Sequence, residues 1–228
     1  MGQQMFTNIA PASTITAIEP LRSDSTMRRV RVGGKTIARV RAADVEAMGL
    51  AVGLDWTEQL AQKVRRAVET HEARGAALWL LNRRAYSCGE LIDRLARKRH
   101  SNQIAGNIAQ ELATAGLIDD EAYARAIARE TVATKPASQE FLARKLRGRR
   151  IDDDLAQRIA LETLADVDLV EAATQYARKQ LHAMPRVSPT TATRRIAAAL
   201  ARRGFDADTI AATLGRLNQA LLTDQPAT

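Results

Sequence analysis

The residues whose type and spacing could do chemistry in this chain are its cations. Arg94, Arg97, Lys98 and Arg99 form one cluster, Arg144, Lys145, Arg147, Arg149 and Arg150 a second, and Arg194, Arg195, Arg202 and Arg203 a third. Each cluster accompanies an apolar pair at i, i+4, namely Leu91 and Leu95, Leu142 and Leu146, Ile196 and Leu200, at intervals of 51 and 54 residues. Cations that recur with a repeat would lay a broken stripe able to track phosphates or an acidic groove, binding more weakly as salt rises. The structural alternative is that cations at helix C-termini complement the macrodipole, at about 0.3–1 kcal/mol each. That need accounts for one or two cations per helix end, not four or five. The clusters are therefore the candidate contacts for a polyanionic partner.

Other candidate chemistry is weaker. Asp119, Asp120, Glu121 and Tyr123 resemble a carboxylate centre, but the order suits a helix start, with Asp119 as the cap and Tyr123 packed inward. Ser87 and Glu90 have the spacing of a capping box, and no sequence-adjacent base accompanies them. Gly34-Lys35-Thr36 ends like a phosphate loop, yet Arg29 stands where that motif needs its first glycine. His71, His100 and His182 are far apart and lack the spacing of a zinc helix. Cys88 lies in a helix's first turn, where the dipole could lower its pKa, but it has no partner base. Trp56 and Trp79 read as core anchors, with base stacking as the alternative for an exposed ring. No catalytic, cofactor or metal site is expected, and the chain reads as a non-enzyme.

Positioning those clusters falls to a scaffold that the composition already bounds. The chain has 228 residues, with 34 Lys and Arg against 26 Asp and Glu, a net charge of +8. The excess is even, about +2 in each of residues 1–55, 56–133, 134–164 and 165–228, so position rather than amount is informative. At 46% hydrophobic and 4% aromatic, the chain favours helices of small and straight-chain residues. A single cysteine excludes a disulfide scaffold, and no apolar run reaches the ~20 residues of a membrane span. Without a signal-peptide pattern, a cytoplasmic location is expected.

Thr14–Ile18, Arg29–Val32 and Lys35–Arg41 alternate apolar and polar residues, and Gly33-Gly34 between the last two predicts a hairpin. From Trp56 onward the period is helical. Thr57, Ser87, Ser138 and Ser188-Pro189 mark helix starts, and Gly75 reads as an interruption before a segment at 76–84. The expected fold is mainly α: three tandem three-helix repeats in an elongated array, preceded by a small antiparallel β lobe. The segments are a loose tail at 1–12, the β lobe at 13–55, a linker helix with repeat 1 at 56–118, repeat 2 at 119–165, repeat 3 at 166–222, and a tail at 223–228. Such repeats bury little core alone and depend on their neighbours.

Three stretches resemble the RecX family of bacterial regulators of the RecA recombinase. They are Ala77–Leu91 (ALWLLNRRAYSCGEL), Leu112–Ala124 (LATAGLIDDEAYA) and Leu200–Phe205 (LARRGF). The resemblance runs over roughly residues 14–217. The family usually has Gly before the apolar residue that ends the middle helix; here only Gly204 keeps it, with Arg99 and Arg150 at the other two places. Ala133–Ser138 replaces a Gly-rich approach to the second middle helix. The resemblance implies a monomer that binds the RecA–single-stranded-DNA filament and mostly inhibits recombinase and coprotease activity, in regulation of DNA repair and the SOS response. DNA, single- or double-stranded, would be a weaker electrostatic partner, and no membrane is implied. The alternative is a helical scaffold that binds nucleic acid without a recombinase.

Overall fold

Three strands open the computed structural model, which describes residues 13–223; the tail expected at 1–12 lies outside the described residues, as does 224–228. Strands β1 (Ile15–Leu21), β2 (Asp24–Val32) and β3 (Lys35–Arg41) form an antiparallel sheet in sequence order. Gly33 and Gly34 both have positive φ (54° and 76°), the pair of left-handed residues that a tight hairpin turn requires. The register carries Val30 opposite Ala38 but Arg31 opposite Thr36, so Ile37 is an extra, bulged residue. The bulge explains how Ile37 and Val40, three residues apart, are both buried on a strand whose faces alternate by two.

A helix completes this lobe. After α1 (Ala42–Ala47), Leu50 and Trp56 turn back onto the sheet, and the first half of α2 (Glu58–Leu81) adds Ala61 and Val64 to the same core. Thr57 caps α2, accepting from the Leu60 amide at 3.2 Å. The expected interruption at Gly75 is not found: α2 runs unbroken through it. A glycine inside a helix costs about 1 kcal/mol against alanine. Buried Ala73, Ala77 and Leu80 around it hold the helix together regardless. Ion pairing of Arg74 with Glu111, and a Glu69 carboxylate accepting from the Ser101 amide at 2.6 Å, fix the second half.

The remaining helices come in the expected order. They are α3 (Cys88–Arg97), α4 (Asn102–Thr114), α5 (Asp120–Thr134), α6 (Gln139–Arg147), α7 (Asp153–Leu164), α8 (Leu169–His182), α9 (Pro189–Arg202) and α10 (Ala207–Thr223). Thr223, assigned to the tail from sequence, is the last residue of α10. Buried alanine pairs recur on the leading helices: Ala73 and Ala77, Ala124 and Ala128, Ala173 and Ala177. In the second repeat Ala124 and Ala128 meet Leu146, Ile151 and Ile159; in the third Ala173 and Ala177 meet Ile196, Leu200 and Phe205. A small-residue face lets the helices approach closely, with few large side chains between them.

Residues 13–84 with 92–111 pack as one compact unit, and 85–91 with 112–223 as another. The division runs through α3. Its first turn belongs to the second unit because Ser87, Cys88 and Glu90 hydrogen-bond to Arg149, Asp120 and Tyr123 there.

Candidate functional site

Each middle helix ends in the same turn. The amides of His100, Ile151 and Phe205 donate to the carbonyls of Leu95, Leu146 and Leu200, five residues back, at 3.2, 3.2 and 3.3 Å. This six-to-one closure needs a left-handed residue just before its end. Arg99 (φ 70°), Arg150 (φ 57°) and Gly204 (φ 80°) occupy that position. Two arginines thus adopt a backbone that costs a non-glycine residue roughly 1–2 kcal/mol. The turn geometry survives both glycine replacements.

Main-chain atoms of these turns form a joint that recurs. At one joint the Ser87 hydroxyl donates to the Arg149 carbonyl at 2.6 Å while accepting from the Glu90 amide at 3.0 Å. Gly89 abuts the neighbouring residue: a Cβ there would lie 2.5 Å from the Arg150 Cβ and 2.7 Å from its carbonyl oxygen. At the next joint the Ser138 amide donates to the Arg203 carbonyl at 3.1 Å, and Ser138 caps α6 through the Phe141 amide. Here the glycine is on the turn side: a Cβ at Gly204 would overlap the Ser138 hydroxyl and press Phe141 at 3.3 Å. One glycine serves each joint, on opposite partners.

Four of the thirteen candidate cations brace helix ends through hydrogen bonds or ion pairs. Arg147 pairs with Glu140 at 2.6 Å and Asp153 at 2.7 Å, which raises its pKa, the Asp153 bond contributing most. Arg203 donates to the carbonyls of Pro136 and Lys135 and lies 4.8 Å above the Phe141 ring; burial lowers its pKa. Lys145 donates to the Thr131 hydroxyl at 2.8 Å and Arg149 to Glu90 at 3.3 Å. These four hold the fold. Arg94, Arg97, Lys98, Arg99, Arg144, Arg150, Arg194, Arg195 and Arg202 are exposed, as are Lys145 and Arg149, while Lys98 also stands over the Trp79 ring and Arg144 over that of Phe141. The basic ends therefore combine both readings of the sequence: part secures helix ends, part faces solvent.

The acidic stretch is structural. Asp119 caps α5 through the Ala122 amide at 2.8 Å. Asp120 reaches back to the Cys88 amide at 2.8 Å, a role the sequence reading missed, and burial raises its pKa. Glu121 accepts from Arg158 and Arg125, which hold its carboxyl at about 2. Tyr123 donates to Glu90 at 2.9 Å. Burial pushes the Cys88 thiol up, with the Asp120 charge adding to it, the opposite of an activated nucleophile. Among the described residues no group of three or more His, Cys, Asp or Glu could hold a metal ion.

Trp79 corrects an expectation. Trp56 is buried in the lobe as a core anchor, but Trp79 is 56% exposed. The Arg83 guanidinium stands 4.8 Å from its ring centroid and the Lys98 ammonium 5.6 Å. On an unbroken helix Trp79 lies about 200° from Ala77, away from the buried face.

No described helix is long and apolar enough to cross a membrane. Residues 73–112 match the family model "RecX, first three-helix domain" and residues 166–214 match "RecX, third three-helix domain". The chain is 34% identical to the regulatory protein RecX of Corynebacterium efficiens over 60% of this chain and 67% of that one. It is 30% identical to that of Prosthecochloris aestuarii over 65% of this chain and 95% of the relative. A crystal structure of regulatory protein RecX superposes with a TM-score of 0.66 at 19% identity, covering 86% of this chain and 96% of the other. That of RecX from Lactobacillus salivarius gives 0.55 at 24% identity over 66% and 97%. The two structures share the fold, and the sequence relatives are named as regulatory proteins rather than enzymes. With leading, middle and trailing helices repeated around the same capped turn, and two of its three-helix segments matched by name, this chain belongs to the RecX family.

Proposed function

We propose that the chain acts by binding rather than by catalysis. It would engage the RecA–DNA nucleoprotein filament and restrain recombinase and coprotease activity, as a cytoplasmic monomer in the control of DNA repair and the SOS response. Family membership supports the regulatory role. The observation that carries the contact assignment is the recurrence of exposed arginines beside the three capped turns, Arg97 and Arg99, Arg144 and Arg150, Arg194 and Arg202. Left-handed Arg99 and Arg150 keep a charge where glycine would be less strained, which favours a role for the side chain. Several modest contacts on one chain act together through effective concentration. On this reading Lys145, Arg147, Arg149 and Arg203 support the surface rather than touch the partner.

The test is the DNA-dependent ATPase of the cognate recombinase filament. Charge reversal at Arg144, Arg194 and Arg202 is expected to abolish inhibition while leaving the thermal transition of the variant in place. Undiminished inhibition would remove the contact assignment. The second reading, a nucleic-acid-binding scaffold independent of a recombinase, is favoured by the exposed Trp79 with two cations over its ring.

A further inference from the structure

We propose that Trp79, with Arg83 and Lys98, is a stacking site for single-stranded nucleic acid. All three belong to one compact unit, and the site requires no recombinase, so it goes beyond the filament reading. Among the described residues Trp79 alone of the aromatic side chains is exposed, and neighbouring Leu78 is exposed as well. An indole left more than half exposed forgoes much of the largest apolar surface a residue can bury, so a partner would gain there. Arg83 and Lys98 stand over the ring, 4.8 and 5.6 Å from its centroid, so a stacking base would displace one of these long side chains and find both cations within reach of its phosphate. Residues 83–99 carry six cationic side chains against two acidic ones.

The occupant must offer both a flat π surface and an adjoining anion. A nucleotide does, through its base and phosphate, and stacking tolerates any base. An acidic protein segment would satisfy Arg83 and Lys98 but give the indole no planar partner. A duplex keeps its bases stacked on each other, which leaves only its phosphates for this cluster. The fit is therefore to an unpaired strand.

The full chain carrying Trp56→Phe leaves Trp79 as the sole indole, a direct reporter by fluorescence. Oligothymidylate is expected to quench it, while a duplex of equal length and polyglutamate are not. Trp79→Leu should weaken oligothymidylate binding about tenfold without changing the salt dependence, and Trp79→Phe should retain most of the affinity. Joint alanine substitution of Arg83 and Lys98 should instead flatten the salt dependence. Unchanged fluorescence at saturating oligothymidylate, equal quenching by polyglutamate or duplex, or equal affinity of the Leu and Phe variants would each overturn the assignment. None of these readouts contains a recombinase, so failure here is distinct from failure of the filament reading.

Discussion

The Ser87 hydroxyl donates to the Arg149 carbonyl at 2.6 Å, joining the start of one middle helix to the turn that ends the next. Ser87 is fully buried and also accepts from the Glu90 amide, so one oxygen serves a cap and a joint together. Ser138 repeats the relationship with Arg203 through its amide. The joint is main chain on the turn side, which leaves the arginine side chains available for other uses.

Glycine at the joint is the first consequence. Gly89→Ala is expected to destabilise the chain by about 1–3 kcal/mol, the usual cost of overpacking, because the new Cβ meets the Arg150 Cβ and carbonyl. Arg150→Gly removes one of those two atoms and should recover part of the loss. A double-mutant cycle by chemical denaturation measures it, with a coupling of at least about 0.5 kcal/mol expected and strict additivity counting against the joint.

Left-handed arginines provide an independent check. Arg99→Gly relieves a φ of 70° and should raise stability by up to about 1 kcal/mol, since the relief is offset by the greater freedom of glycine when unfolded. The same variant should weaken partner binding if the charge is functional. A change that stabilises the fold while lowering inhibition of the filament ATPase would show that the arginine is kept for its side chain; a loss of stability would contradict the strain argument.

Much of this was legible in the sequence, and the reasons for the rest are physical. The Leu91/Leu95, Leu142/Leu146 and Ile196/Leu200 pairs sit at one helical spacing and are all buried, so periodicity located the middle helices directly. Gly33-Gly34 fixed the hairpin because its turn needs two positive φ values. Local rules said less about long-range partners: nothing near Asp120 indicates that it caps Cys88, 32 residues earlier. Gly89 offered an unused signal, since a glycine inside the first turn of a capped helix has no local reason to be there. The fate of each cation was likewise non-local, decided for Arg203 by carbonyls at Lys135 and Pro136.

Arg202 and Arg203 separate the two kinds of cation. Arg203→Ala removes donors to two carbonyls and should cost about 1.5–3 kcal/mol, whereas exposed Arg202→Ala should fall within about 0.5 kcal/mol of the parent. Thermal denaturation reads the first, and filament inhibition should register only the second at temperatures where both variants are folded. Equal effects on stability would mean that the loop contacts of Arg203 contribute nothing.

Glu121 sets an acid response. Its carboxyl is held at about 2 by hydrogen bonds from Arg158 and then Arg125, and Glu162 completes the group by accepting from both arginines. A depressed carboxyl stabilises the folded chain above its unfolded pKa, near 4.5, and loses that contribution as pH falls towards about 2. Because its members are solvent-accessible, the network is screened by salt, so its contribution should be small and larger at low ionic strength. Glu121→Gln is therefore expected to lower the melting temperature slightly at pH 7 and to leave it indistinguishable from the parent near pH 2. The difference between the two melting curves should shrink between pH 4.5 and 2 and also on adding salt. A difference that persisted unchanged at pH 2 would mean that the side chain acts through packing rather than through its charge.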